Sequence, residues 1–173
     1  TVRIGGESSS KVHIMGIVPN EFGKITWFRD DLLRPYHINQ YLNLLSESPK
    51  AFLVSTSFKE KFDVEEGDSI TIGWKDQGYL DGYIYGFIDY FPSFNPNALK
   101  EGRENPLLVV ANLSYIQAKT ALEPYEIWVK KKPDATSQQI YDDILEKKLD
   151  IASLEDTSQE IIIKKNDPML QGM

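Results

Sequence analysis

Apolar and polar positions change period several times along this chain, and each change marks an element. "KVHIMGIV" (11–18) is an apolar run closed by Pro19-Asn20, which predicts a buried strand. "KITWF" (24–28) predicts a second strand, and "INQYLNLLSESP" (38–49) sets Tyr41, Leu42, Leu44 and Leu45 at near-helical spacing before Pro49 stops it. "AFLVSTSFKEKF" (51–62) opens as a strand and changes character at Ser55–Ser57, where a hydroxyl can cap a short helix. In that helix Phe58 and Phe62 share a face.

Gly67 then supplies a turn, and "SITIGW" places Ile70, Ile72 and Trp74 on one side of a strand. "KDQG" (75–78) leads into "DGYIYGFIDYF" (81–91), a predicted hairpin. Strict alternation puts Tyr83, Tyr85 and Phe87 on one face of its second strand and Ile84, Ile88 and Tyr90 on the other. With both faces apolar or aromatic, that strand is expected to be covered on both sides, as in a small barrel or a sheet beneath another layer. Residues 92–106, rich in Pro, Asn and Gly, read as an exposed loop with contacts of its own.

The last third alternates strand and helix: "LLVVANL" (107–113), the helix "LSYIQAKT", the strand "YEIWVKK" (125–131), a helix and the strand "EIIIKK" (160–165). Thr136 and Gln139 form a capping-box pattern ahead of a stripe of Ile140, Tyr141, Ile144, Leu145 and Leu149. The expected fold is α+β in two small lobes: a β-rich lobe at 50–106, barrel- or sandwich-like, and an α/β lobe from 1–49 plus 107–173 with βαβ-like units.

Composition narrows the classes. The 173 residues suit one domain with a real core, and 41% hydrophobic with 26% charged residues is ordinary globular material. A formal charge of -7 argues against nucleic acid, which needs clustered Lys and Arg. Without cysteine there is no disulfide framework, thiolate zinc site or cysteine nucleophile. No apolar run approaches the ~18 to 20 residues of a membrane span, and the first residues lack a signal-peptide pattern. The chain starts without methionine and stops on "DPMLQGM", as an excised piece of a longer protein would.

The acidic stretch "FDVEEGDSITIGW" (62–74) invites a metal reading. Counted from Asp63 as a calcium loop, the glycine falls at position 5 rather than 6, and Trp74 occupies the place of the final ligand, so that loop is excluded. The carboxylates then read as solvating a tight turn at Gly67. His13 and His37 lack zinc-ligand spacing, and His13 reads as a packed or edge residue of its strand. No nucleophile elbow, P-loop or dinucleotide fingerprint occurs. Asp89, Glu123 and Glu126 could supply a carboxylate pair for glycoside hydrolysis only if folding brought two of them together. No catalytic, metal or cofactor residue is expected.

Several stretches in order resemble the extracytoplasmic domains of FtsX-like, MacB-like ABC transporter permeases of the large multi-span type. "LVSTSFKEKFDVEEGDSITI" is similar to the family's V-S-x-S segment followed by G-D, with Val54, Ser55, Ser57, Phe58, Gly67 and Asp68 in matching places. "GFIDYFPSFNP" (86–96) resembles the next strand and its aromatic, proline-containing loop, and "LLVVANLSYIQ" (107–117) the strand and helix after it. "NDPMLQGM" (166–173) is similar to the stretch ahead of a membrane helix. Lys59 stands where the family often has a small residue, at a structural position.

The resemblance implies a non-catalytic domain on the extracytoplasmic side of a bacterial membrane, with membrane helices on either side of it and a separate ABC ATPase subunit as partner. It would transmit ATPase-driven motion and touch an envelope protein or lipoprotein, a peptide or a lipid. The contact residues expected are Tyr83 and Tyr85 on the aromatic face and Phe91, Phe94, Asn95 and Leu99 in the loop. A secreted carbohydrate- or peptide-binding module is the alternative.

Overall fold

The computed structural model describes residues 2–4, 7–10, 12–33, 36–74, 78–92, 94–96, 106–120 and 126–158. The fold is mixed α/β, and the chain divides into two compact units, residues 1–125 and 126–173.

The first unit is built on one mixed sheet. Its strands are β1 (Val2–Ile4), β2 (Glu7–Ser10), β3 (His13–Ile17), β4 (Ala51–Ser55), β5 (Ser69–Trp74), β6 (Gly78–Ile88) and β7 (Leu108–Asn112), in the spatial order β2-β1-β5-β6-β4-β7-β3. β5 and β6 form the predicted antiparallel hairpin, from Ser69 opposite Tyr83 to Trp74 opposite Gly78. β4 runs parallel to β6 and antiparallel to β7, and β7 runs parallel to β3. Strands from both expected lobes thus share a single sheet. His13 is exposed on β3 at the sheet's end.

Two apolar cores lie on the two faces of β4, which is buried along its whole length. On one side Ala51 and Leu53 pack with Leu108 and Val110, and α1 (Pro19–Ile25) and α2 (Ile38–Glu47) cover them through Phe22, Tyr41, Leu42 and Leu45. On the other side Phe52 and Val54 pack with Val109, Ile70, Ile72 and Leu80, under Phe58 of α3 (Ser57–Phe62) and Ile116 of α4 (Leu113–Lys119). Gly82 lets the Phe52 ring lie against β6; a Cβ there would stand 2.4 Å from that ring.

The strand expected at 24–28 is instead the end of a helix. Pro19 sits at the first turn of α1, where its missing N–H costs nothing and its fixed φ favours helix. The Phe22 amide then donates to the Val18 carbonyl at 2.9 Å, and burial of the Phe22 ring holds the turn in place. Local β-propensity of Ile25, Trp27 and Phe28 lost to this tertiary anchor, and residues 26–29 are irregular.

β6 carries a second correction. Ile84 lies opposite Phe52, but Leu53 lies opposite Gly86, so Tyr85 is an extra residue in β6. Such a bulge reverses which side chains face which core. Ile84 before it joins the Phe52 core, whereas Ile88 after it joins the Leu53 core, and Phe87 now packs on the Ile84 side. The strand is not covered on both sides throughout. Ahead of the bulge one face stays open, with Tyr79, Tyr83 and Tyr85 each about half exposed.

The second unit contains α5 (Ser137–Glu146), opened by the predicted capping box: the Gln139 amide donates to Thr136 Oγ1, and the Thr136 amide donates to Gln139 Oε1. None of its residues is fully buried. Of the strand expected at 125–131, the described residues 126–131 form no strand; burial and pairing partners that would fix such a run are absent among the described residues. The strand expected at 160–165 lies outside the described residues. Among the described residues no helix is long and apolar enough to cross a membrane.

Candidate contact surface

The matched serines are structural. Ser57 Oγ donates to the Pro106 carbonyl at 2.8 Å, which uses its only proton. Ser55 Oγ, 2.7 Å away, must therefore donate to Ser57, and it accepts the Leu108 amide at 3.0 Å. This relay ties the end of β4 to the start of β7, across nearly 50 residues of chain. Neither hydroxyl caps α3, as the sequence suggested. The residue at the cap is Thr56, whose hydroxyl donates to Asp89 Oδ1 at 2.5 Å.

The acidic stretch is a turn. Gly67 has φ +97°, and Asp68 Oδ2 accepts the Glu65 amide at 2.8 Å. The turn is sewn to β6 by the Gly67 amide on the Ile84 carbonyl and the Ile84 amide on the Asp68 carbonyl. Among the described residues no cluster of acidic or histidine side chains is arranged to hold a metal ion.

The loop contacts divide. Phe91 and Phe94 are core residues, 2% and 9% exposed, and form a small antiparallel bridge with each other. The Phe91 ring stacks on Phe22 with centroids 5.4 Å apart and planes 3° apart. They face the Leu53 core, not solvent, so they are corrected from contact residues to packing residues: aromatic area of that size is stable when buried. Asn95 is exposed, and Leu99 lies outside the described residues.

Tyr83 and Tyr85 do reach solvent, at 48% and 43% exposure. Sequence reasoning missed their neighbours. Asp81 shares the open face with Tyr79 and Tyr83, and Thr71 across the hairpin donates to Asp81 Oδ1 at 2.7 Å. An open groove of about 230 Å³ runs between Lys50, Ser69, Thr71, Asp81 and Tyr83. The period-2 parity of Tyr79, Asp81 and Tyr83 was the available signal; Lys50, from another strand's start, had none. This surface can stack an apolar ring or chain while offering an ammonium, a carboxylate and three hydroxyls to polar groups. Asp89 accepts from Thr56, and Glu123 lies outside the described residues.

Comparison with protein-family models, with curated proteins and with solved structures finds no match for this chain.

Proposed function

We propose that this chain is a non-catalytic extracytoplasmic domain of an FtsX-like ABC transporter permease, relaying motion driven by a separate ATPase subunit to an envelope protein, peptide or lipid. One observation carries the reading. The stretch resembling the family segment folds as consecutive elements of the first unit, β4, α3, the Gly67 turn and β5, and its matched polar residues are spent on structure: Ser55 and Ser57 tie β4 to the start of β7, and Asp68 closes the turn. A motif kept for architecture suits a mechanical element better than a reactive one.

In the cells that make it, the polypeptide carrying this chain should sediment with membranes. Protease added outside intact spheroplasts should cut this domain. Recovery in the soluble fraction, or protection from external protease, would overturn the reading.

The groove beside Tyr83 favours a second reading, a carbohydrate- or peptide-binding module, because an exposed ring flanked by an ammonium and a carboxylate suits such ligands. It predicts that a saccharide or peptide ligand raises the melting temperature of the wild type but not of Tyr83→Ser. Equal shifts in both proteins would rule out the groove.

A further inference from the structure

Residues 126–132 are the least explained apolar stretch in the described chain. Ile127, Trp128 and Val129 are 71%, 48% and 77% exposed, so three consecutive large side chains face outward. A half-buried strand would turn the middle one against a core; this segment belongs to no strand. Lys130, Lys131 and Lys132 follow at once, so residues 127–132 carry three positive charges and no carboxylate in a chain of net charge -7. Lys131 also donates to Ser137 Oγ at 2.9 Å, which fastens the segment to the first turn of α5.

This pairing of apolar tip and cationic flank has a natural counterpart in a lipid surface. Tryptophan, with an apolar ring and one N–H, is favoured at the headgroup level of a bilayer. Lysine can bury its methylene stem and keep its ammonium among anionic headgroups. We propose that residues 127–132 form a membrane-surface contact: Ile127, Trp128 and Val129 enter the boundary between headgroups and acyl chains, and the exposed Lys130 and Lys132 meet anionic lipid, while Lys131 stays on Ser137. The occupant is the bilayer rather than a protein groove because the charge step from apolar to cationic matches a membrane interface.

Carboxylates elsewhere in the same unit, among them Asp134, Asp142, Asp143 and Asp150, repel an anionic surface. They confine the contact to this segment and make it weak, reversible and sensitive to salt. The proposal goes beyond the permease reading and does not depend on it, since vesicle binding by the isolated chain and membrane fractionation of its parent polypeptide can fail separately.

The test is co-sedimentation of the 173-residue chain with vesicles of phosphatidylcholine containing a minority of phosphatidylglycerol. Binding should appear at low salt and fall several-fold at about 0.5 M salt, where the screening length is only a few ångströms. The double variant Ile127→Asp/Val129→Asp, its fold checked by circular dichroism, should partition about tenfold less, since it places two charges at an apolar boundary. Trp27→Ala is the control, because Trp27 is 80% exposed but lies in the other unit; it should bind as the wild type does. Absence of wild-type binding, retention of binding by the double variant, or loss of binding in Trp27→Ala would overturn the proposal.

Discussion

Ser55 Oγ stands 2.7 Å from Ser57 Oγ, and the pair joins the Leu108 amide to the Pro106 carbonyl in one line of hydrogen bonds. Ser55, Ser57 and Leu108 are 1%, 7% and 2% exposed, so the two hydroxyls and the Leu108 amide have no water to turn to. Ser55→Ala and Ser57→Ala should each cost about 1 to 3 kcal/mol in urea unfolding, the penalty for buried groups left unpaired. The double variant should cost less than the sum, since both singles break the shared bond. Strict additivity would show that the two hydroxyls act independently.

Gly67 has open space where a Cβ would go, with no heavy atom within 4 Å, so only its φ of +97° resists substitution. Gly67→Ala should therefore destabilise by roughly 1 to 2 kcal/mol through backbone strain. Gly67→Asn should cost less, because asparagine tolerates positive φ better. Equal losses for the two would point to a steric origin instead.

Phe91 shares a stacked contact with Phe22, from a segment the sequence marked as an exposed loop. Phe91→Ala should cost about 3 to 5 kcal/mol, the range for emptying an aromatic core site. A loss below about 1 kcal/mol, the usual scale for a surface position, would return Phe91 to the contact surface.

Tyr83 and Tyr85 should behave in the opposite way. Replacing either with serine should move stability by no more than about 0.5 kcal/mol, since the rings leave the buried face of β6 untouched. If this surface meets a partner in the proposed permease, the same variants should reduce that permease's output. Full output from the double variant would remove the open face from the proposed function.

Tyr41 sets a pH dependence. Burial first, and then the Glu66 carboxylate, push its hydroxyl above the ordinary value of 10.0. With the folded value raised, the neutral hydroxyl's contribution to stability is intact below pH 10 and is lost as pH climbs through the folded value. Tyr41→Phe, which cannot ionise, should lose less stability than the wild type as pH rises above about 10 in denaturant titrations. Parallel curves would mean that Tyr41 does not titrate differently on folding.

For several elements the local residues alone were enough. The stripe of α2, the Gly67 turn and the Thr136 capping box follow from local spacing and local hydrogen bonds. These features depend on neighbours a few positions away, so composition and period determine them. Only the tertiary structure decided the rest. A bulge at Tyr85 reversed the faces of β6, because with a side-chain period of two a single extra residue exchanges core for solvent. Lys24 and Ile25, read as the start of a strand, became the end of a helix whose Phe22 stacks on Phe91, nearly 70 residues further along. That same stack took Phe91 out of the contact surface, since burying an aromatic ring outweighs the loop character of the chain around it.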